Sequence, residues 1–310
     1  MVPVMPLRRW FAHYGVASLA TLALALICTF LVWSQREDGY EQAQASIRNS
    51  ARLLAGQAQH SMDQTDALLF SAALRYAAIS PAGPGALNRL TDQLRQEIAS
   101  HPLIRRIGIV DRDGVTALNT ALSKSDTQRP SVANRDYFLR AKGGEQQMIV
   151  EGPVRVLLDG EWALVLARRI EDASGNFLGV VIAVLPTTGI AQSLSRIELG
   201  PRAIVNLRSA DLAQIARSPA LPGASADSGN RNVSQTIRKL MRDQPAQDHY
   251  VYTAVAPIDG IERLYVYQKL DRSPFWMTVG IATADFNTSW HKTAILLALI
   301  SLPIVWLLFW

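Results

Sequence analysis

The sequence predicts an α+β protein in which a long helix leads into two tandem modules built on antiparallel sheets, with an apolar helix at either end. Three observations carry this. Apolar residues recur at helical spacing from about residue 36 to 79. From residue 103 onward the pattern changes to short apolar runs bounded by turn residues. A strand–turn pattern then repeats about one hundred residues later, with Asp159-Gly160 answered by Asp259-Gly260.

Length and composition set the frame. With 310 residues the chain has room for two ordinary domains, and 49% of it is hydrophobic against 18% charged. The apolar excess lies at the ends. Residues 14–33, YGVASLATLALALICTFLVW, carry no charge and are long enough to cross a bilayer core of roughly 30 Å. No small-residue cleavage site follows, so the run reads as an uncleaved anchor, and Arg8 and Arg9 before it place the N-terminus in the cytoplasm. A second run, from Thr293 to Trp310, ends with the chain, which reads as a sequence continuing into a cytoplasmic part. The expected organisation is a cytoplasmic segment 1–13, a span 14–34, stalk and linker helices 35–100, a membrane-distal module 101–190, a membrane-proximal module 191–288 and a second span 291–310.

The net charge of +5 and pI near 9.5 do not imply nucleic acid, because Lys and Arg alternate with acids in a segment expected outside the cytoplasm. Cys28 is the single cysteine and lies in the first apolar run, so the outer segment has no disulfide, no thiolate nucleophile and no cysteine metal site.

Each element follows in order. Tyr40, Ile47, Leu54, Met62, Leu68 and Ala72 mark one face of a helix over about 36–79, roughly 65 Å at 1.5 Å per residue. Two helices broken near Gly56 are the alternative. PAGPG (81–85) ends it, and a second helix runs from about Ala86 to Ser100. LIRRIGIV (103–110) and VTALNT read as strands around the turn DRDG. That turn lacks the glutamate of a calcium loop, since Leu122 holds its place. QQMIVEGPV, GEWALVLARRIED and NFLGVVIAVL are further strands, the last apolar enough to be central and buried on both faces. Short turns between successive strands make the sheet antiparallel.

In the second copy, RAIVNLRSAD (202–211) answers RRIGIVDRDG, and Asp259-Gly260-Ile261-Glu262 opens the strand that answers Asp159-Gly160-Glu161-Trp162. Phe275 answers Phe177, LPGASADSGNRN (221–232) is a surface loop and VSQTIRKLM a helix. The period is too long for a solenoid and fits two copies of one module.

The stretch SVANRDYFLRA (131–141) brings Arg135, Tyr137 and Phe138 together. A guanidinium beside two aromatic rings is half of an anion pocket. An internal ion pair capping a small core is the other reading. Trp162 and Arg168 lie six apart in a period-two pattern and so share a strand face.

The order Asn134-Arg135-Asp136-Tyr137-Phe138, Gly152-Pro153-Val154, Trp162 through Arg168-Arg169-Ile170 and Gly175-x-Phe177-x-Gly179-Val180-Val181 resembles the double Cache sensor domains of bacterial transmembrane receptors. Those have tandem PAS-like modules, and this variety looks most like the sensors of diguanylate cyclases and phosphodiesterases. Histidine kinases and chemoreceptors use the same domain. The resemblance implies a periplasmic sensor on a two-span inner-membrane protein, a homodimer along the stalk, and a ligand in the distal module. It also implies that Arg135, Tyr137 and Phe138 grip and cover a ligand carboxylate; Arg155, and Trp162 with Arg168 on their shared strand face, are the further candidate ligand-binding residues. One departure matters: amino-acid-binding members carry acids for the ammonium, whereas Val184-Leu185-Pro186-Thr187-Thr188 has none and Glu151 is accompanied by Arg155. The expected ligand is therefore a small organic carboxylate, with an amino acid as the alternative.

No phosphate loop, nucleophile elbow or His-Glu-x-x-His occurs, and the five histidines (13, 60, 101, 249 and 291) show no ligand spacing. No catalysis, metal or cofactor is expected in this segment.

Overall fold

The computed structural model describes residues 7–80, 83–122, 129–220, 228–286 and 288–309. The polar run at 123–128, part of the loop at 221–232, part of PAGPG and Asn287 lie outside them. The chain forms two compact units, Met1–Arg48 with Ala282–Trp310, and Asn49–Ile281.

In the first unit, helix α1 (Leu7–Ile79) begins and the helices α6 (Thr283–Phe286) and α7 (Thr288–Phe309) end the chain. Leu19, Leu22, Leu26 and Phe30 are exposed on α1. Among the described residues one helix is long and apolar enough to cross a membrane, with its apolar window near the N-terminus; Thr293–Trp306 is a shorter apolar stretch.

The second unit holds the modules. α1 runs through Gly56 without a break. A helical glycine costs about 1 kcal/mol, which is little beside the buried stripe of Ala51, Leu54, Ala55, Met62, Leu69 and Ala72 around it. α2 (Pro84–Ile98) folds back on α1, with Arg75 donating two bonds to Glu97 at 2.7 and 2.8 Å.

The first sheet contains β1 (Arg106–Asp111), β2 (Thr116–Asn119), β3 (Ile149–Arg155), β4 (Trp162–Glu171) and β5 (Phe177–Pro186), in the order β2-β1-β5-β4-β3. The most apolar run is thus the central strand, as its continuous pattern predicts. Helix α3 (Asp136–Lys142) packs on one face and α1 on the other. After α4 (Thr187–Leu194), the second sheet repeats the plan. It contains β6 (Ile204–Arg208), β7 (Gln214–Ser218), β8 (His249–Val255), β9 (Glu262–Lys269) and β10 (Trp276–Ala282), ordered β7-β6-β10-β9-β8, with α5 (Gln235–Asp243) against it.

The repeat is one of hydrogen bonds as well as letters. Gly160 donates to the Val156 carbonyl and Gly260 to that of Ala256, both at 2.9 Å, with φ of +70° and +69°. In each module the turn aspartate grips an arginine from across the sheet. Asp159 accepts from Arg106 at 2.8 Å, and Asp259 accepts from Arg263 at 2.8 and 2.9 Å and from Arg217 at 3.2 Å. The β1–β2 turn corrects one sequence pairing. Asp111 N–H donates to Val115 O, and Ser209 N–H to Ala213 O, both at 2.9 Å. Asp111 therefore corresponds to Ser209, one place beyond the Arg208 that side-chain likeness selects. Backbone turn geometry sets the register there: the αL positions are Gly114 (φ 83°) and Leu212 (φ 65°).

Candidate functional site

The candidate site gathers at the β3 edge of the first sheet, from the start of α3 and the β3–β4 hairpin. Arg135 is the N-cap of α3, with extended backbone (φ −79°, ψ 143°), so its side chain leaves the helix start sideways. Its Nη2 donates to the Arg155 carbonyl at 2.9 Å, and among the described residues it has no carboxylate partner. Arg155 ends β3, donates from Nη1 to Gly160 O at 2.8 Å and stacks over Trp162 with its guanidinium 4.7 Å from the ring centre. It too lacks an acid partner among the described residues.

Tyr137 and Phe138 are buried, at 4% and 1% exposure. Phe138 meets Phe177 edge-on at 5.8 Å and belongs to the apolar cluster with Val110, Val165, Ala167 and Val180. The Tyr137 amide donates to Glu151 Oε2 at 3.0 Å. Burial pushes the Tyr137 hydroxyl pKa up, Glu151 adds to the rise, and Arg135 opposes it. The phenol is thus a firm O–H donor.

Trp162 is half-buried. It faces a cleft of about 450 Å³ lined by Gly152, Pro153 and Val154 of the distal module and by Asp211, Ser228, Gly229 and Arg231 of the proximal one. Its Nε1 is buried and lacks a hydrogen-bond partner among the described residues.

Arg168 sits elsewhere. Strand parity sends Leu164, Arg168 and Ile170 to the α1 face, where Arg168 forks onto Asp66, with Nη2–Oδ2 at 3.0 Å and a second bond from Nε to Oδ1. Its guanidinium also lies 5.1 Å from the Phe70 ring centre. Arg135 meets Arg155 at its carbonyl, and the Arg155 guanidinium covers Trp162, its cross-strand partner, on the β4 face that Trp162 shares with Arg168. Tyr137 and Phe138 lie on the α3 face, Phe138 in the core, and Arg168 lies further along β4 against α1. Arg169 takes the α3 face instead, donating to Ala141 O at 2.6 Å and stacking on Phe177. Two arginines in succession gave the sequence no way to tell which face each takes without the strand's absolute phase. Among the described residues no three His, Cys, Asp or Glu side chains converge as metal ligands.

A family model for the Cache domain matches residues 33–287. The chain is a Cache domain protein. Its architecture fits: the Cache region here is a long helix followed by two five-stranded antiparallel sheets of PAS-like order. Among solved structures, the extracellular domain of a histidine kinase, rpHK1S-Z16, matches at 21% identity, with a TM-score of 0.68, 81% of this chain and 99% of that one covered. The ligand-binding domain of the Pseudomonas fluorescens chemoreceptor CtaA, in complex with L-serine, matches at 16% identity and TM-score 0.58, over 79% and 99%. That of the Campylobacter jejuni chemoreceptor Tlp3, in complex with L-valine, matches at 12% and 0.55, over 82% and 98%. At these identities the likeness is one of fold. No curated protein matches the chain.

Proposed function

We propose that this Cache region is the extracytoplasmic ligand-sensing part of a transmembrane receptor, and that its distal module binds a small organic carboxylate through Arg135. The observation that carries the reading is the Arg135 guanidinium, held at the start of α3 with no acid partner among the described residues. Its planar fork suits a carboxylate, Arg155 adds a second positive charge, and the Tyr137 hydroxyl can donate to the same anion. Glu151 is the one acid in the cluster and already accepts from Tyr137 N–H. An α-amino acid is the second reading, favoured by related structures with L-serine and L-valine bound.

β4 connects this site to the stalk, since Trp162 at its start lines the cleft and Arg168 further along holds Asp66 on α1. Ligand closure at one end of β4 biases the arrangement of α1, by as much as the ligand's affinities for the two states differ. A homodimer along α1 passes that bias through the membrane. The attached output is a diguanylate cyclase on the motif resemblance, with a histidine kinase favoured by the rpHK1S-Z16 match.

The test is a thermal-shift and calorimetric screen of the full chain in detergent against carboxylates and amino acids, repeated with Arg135→Ala. Loss of the guanidinium should weaken the best ligand about 10- to 100-fold, in line with roughly 1.5–3 kcal/mol for a charged hydrogen bond. Unchanged affinity sinks the assignment of Arg135.

A further inference from the structure

The two modules share a fold but differ in what they bury. The turn equivalence of Asp111 with Ser209 sets Val110 against Arg208, and Val180, the ladder partner of Val110, against Trp276, the partner of Arg208. Likewise the pair Gly108–Ile182 answers Asn206–Thr278. Counting from the equivalent Asp-Gly turns, Val165 and Ala167 answer Tyr265 and Tyr267. At these positions the distal module has only glycine and aliphatic residues, so the sheet itself has no need of polar ones. The proximal module fills the same positions with guanidinium, amide, hydroxyl and phenol groups.

These polar groups are deeply buried and incompletely satisfied. Arg208, Asn206 and Thr278 are 2%, 2% and 0% exposed. Arg208 Nε, Asn206 Oδ1 and Thr278 Oγ1 each lack a hydrogen-bond partner among the described residues. Arg208 spends Nη1 on the carbonyls of Leu212 at 2.7 Å and Asn230 at 3.5 Å, and it has no carboxylate among the described residues. Arg217 and Arg263, also buried, share the single carboxylate of Asp259. Three buried cations against one anion is an arrangement that interior packing alone disfavours. Burial, with Arg263 and Arg208 nearby, lowers the Arg217 pKa against the pull of Asp259.

Asn206, Arg208 and Arg217 line a cleft beside Tyr252, Tyr265 and Tyr267. Val233 and Ser234, at the N-terminal end of α5, form its rim, so the helix dipole points its positive end at the same space. Tyr252 and Tyr265 stack on one another beside it, ring centres 5.3 Å apart. Within the cleft the centre of a water-sized sphere can move through about 20 Å³, room for about one water molecule.

We propose that this cleft is a second ligand site, which takes a small carboxylate of formate or acetate size between Arg208 and Arg217. It is separate from the distal site and does not depend on it. The anion neutralises the surplus positive charge, accepts from Arg208 Nε, and lies beside the tyrosines; α5 moves outward to admit it.

The experiment titrates the full chain in detergent with sodium acetate and sodium formate, against sodium chloride at equal ionic strength, by calorimetry. Saturable acetate or formate binding is expected in the wild type and in Arg135→Ala. It should weaken at least tenfold in Arg208→Met and several-fold in Asn206→Leu, which removes no charge. No saturable binding to the wild type overturns the proposal. So does binding that Arg135→Ala abolishes and Arg208→Met leaves intact, which would place the anion in the distal module. Should Arg208→Met fail to fold, Asn206→Leu decides, and unaltered affinity in that variant is a negative result.

Discussion

The Arg168 fork on Asp66 ties the distal sheet to the stalk with side chains 22% and 26% exposed. Because water reaches both, the pair is worth less than a buried one; a double-mutant cycle of Arg168→Ala and Asp66→Ala should give a coupling of about 1–2 kcal/mol in urea unfolding. A coupling near zero would mean that the fork does not brace the two elements. Asp259 makes a prediction in pH. Burial pushes its carboxyl pKa up, but the Arg263 hydrogen bonds, the Ile261 amide and the Arg263 and Arg217 charges outweigh it and leave the pKa lowered. A lowered folded pKa adds stability that is present above the unfolded value of about 3.9 and lost as pH falls through the folded one. Asp259→Asn should therefore unfold at lower temperature than wild type at pH 7, with the gap narrowing below about pH 4 in melting curves. At this scale the sequence was only half legible. Arg135 and its aromatic neighbours stand out as a cluster of letters, but Phe138 turns inward, Arg168 faces the stalk, and the polar interior of the proximal module hides in strands that read as ordinary. Charge on a strand shows which residues alternate, not which face is covered.

Strands β1, β4, β5, β9 and β10 were readable because each is a sustained apolar or alternating run between turn residues. β7, with Arg217 buried in it, and β8, with exposed Thr253 and Val255 after its buried tyrosines, carry weaker patterns. They exist because neighbours supply their ladders. The short helices α3 and α4 are one or two turns long and fall below the length at which helical periodicity is measurable. Gly179 shows how tightly the central ladder is built. Its φ is +149°, and a Cβ there would stand 2.0 Å from the Val110 carbonyl oxygen. Gly179→Ala should cost about 3 kcal/mol, seen as a lower denaturation midpoint with an unchanged slope. An unaltered midpoint would show that β1 and β5 can slide apart at little cost.

Over the whole chain, the fold class and the two-module plan were legible because duplication wrote the same turn twice. The placement of the modules relative to a membrane rests on composition, and it has a direct test. Cys28 is the only cysteine, so Ser174→Cys, in the exposed turn before β5, adds one outer thiol. A membrane-impermeant maleimide should label that variant in intact cells and leave the parent chain unlabelled. Labelling only after permeabilisation would put the modules on the inner side. The matched Asp-Gly turns carry a further consequence. Each latch ties its turn to a strand further across the sheet, Asp159 to Arg106 of β1 and Asp259 to Arg217 of β7, and in the distal module the frame closes around an apolar interior. Mutation can rewrite one interior while the other stays fixed, as a lock maker recuts one cylinder in a two-cylinder door. Chemical tuning of one half is thereby uncoupled from the integrity of the other, and two copies of one plan can carry interiors of different chemistry.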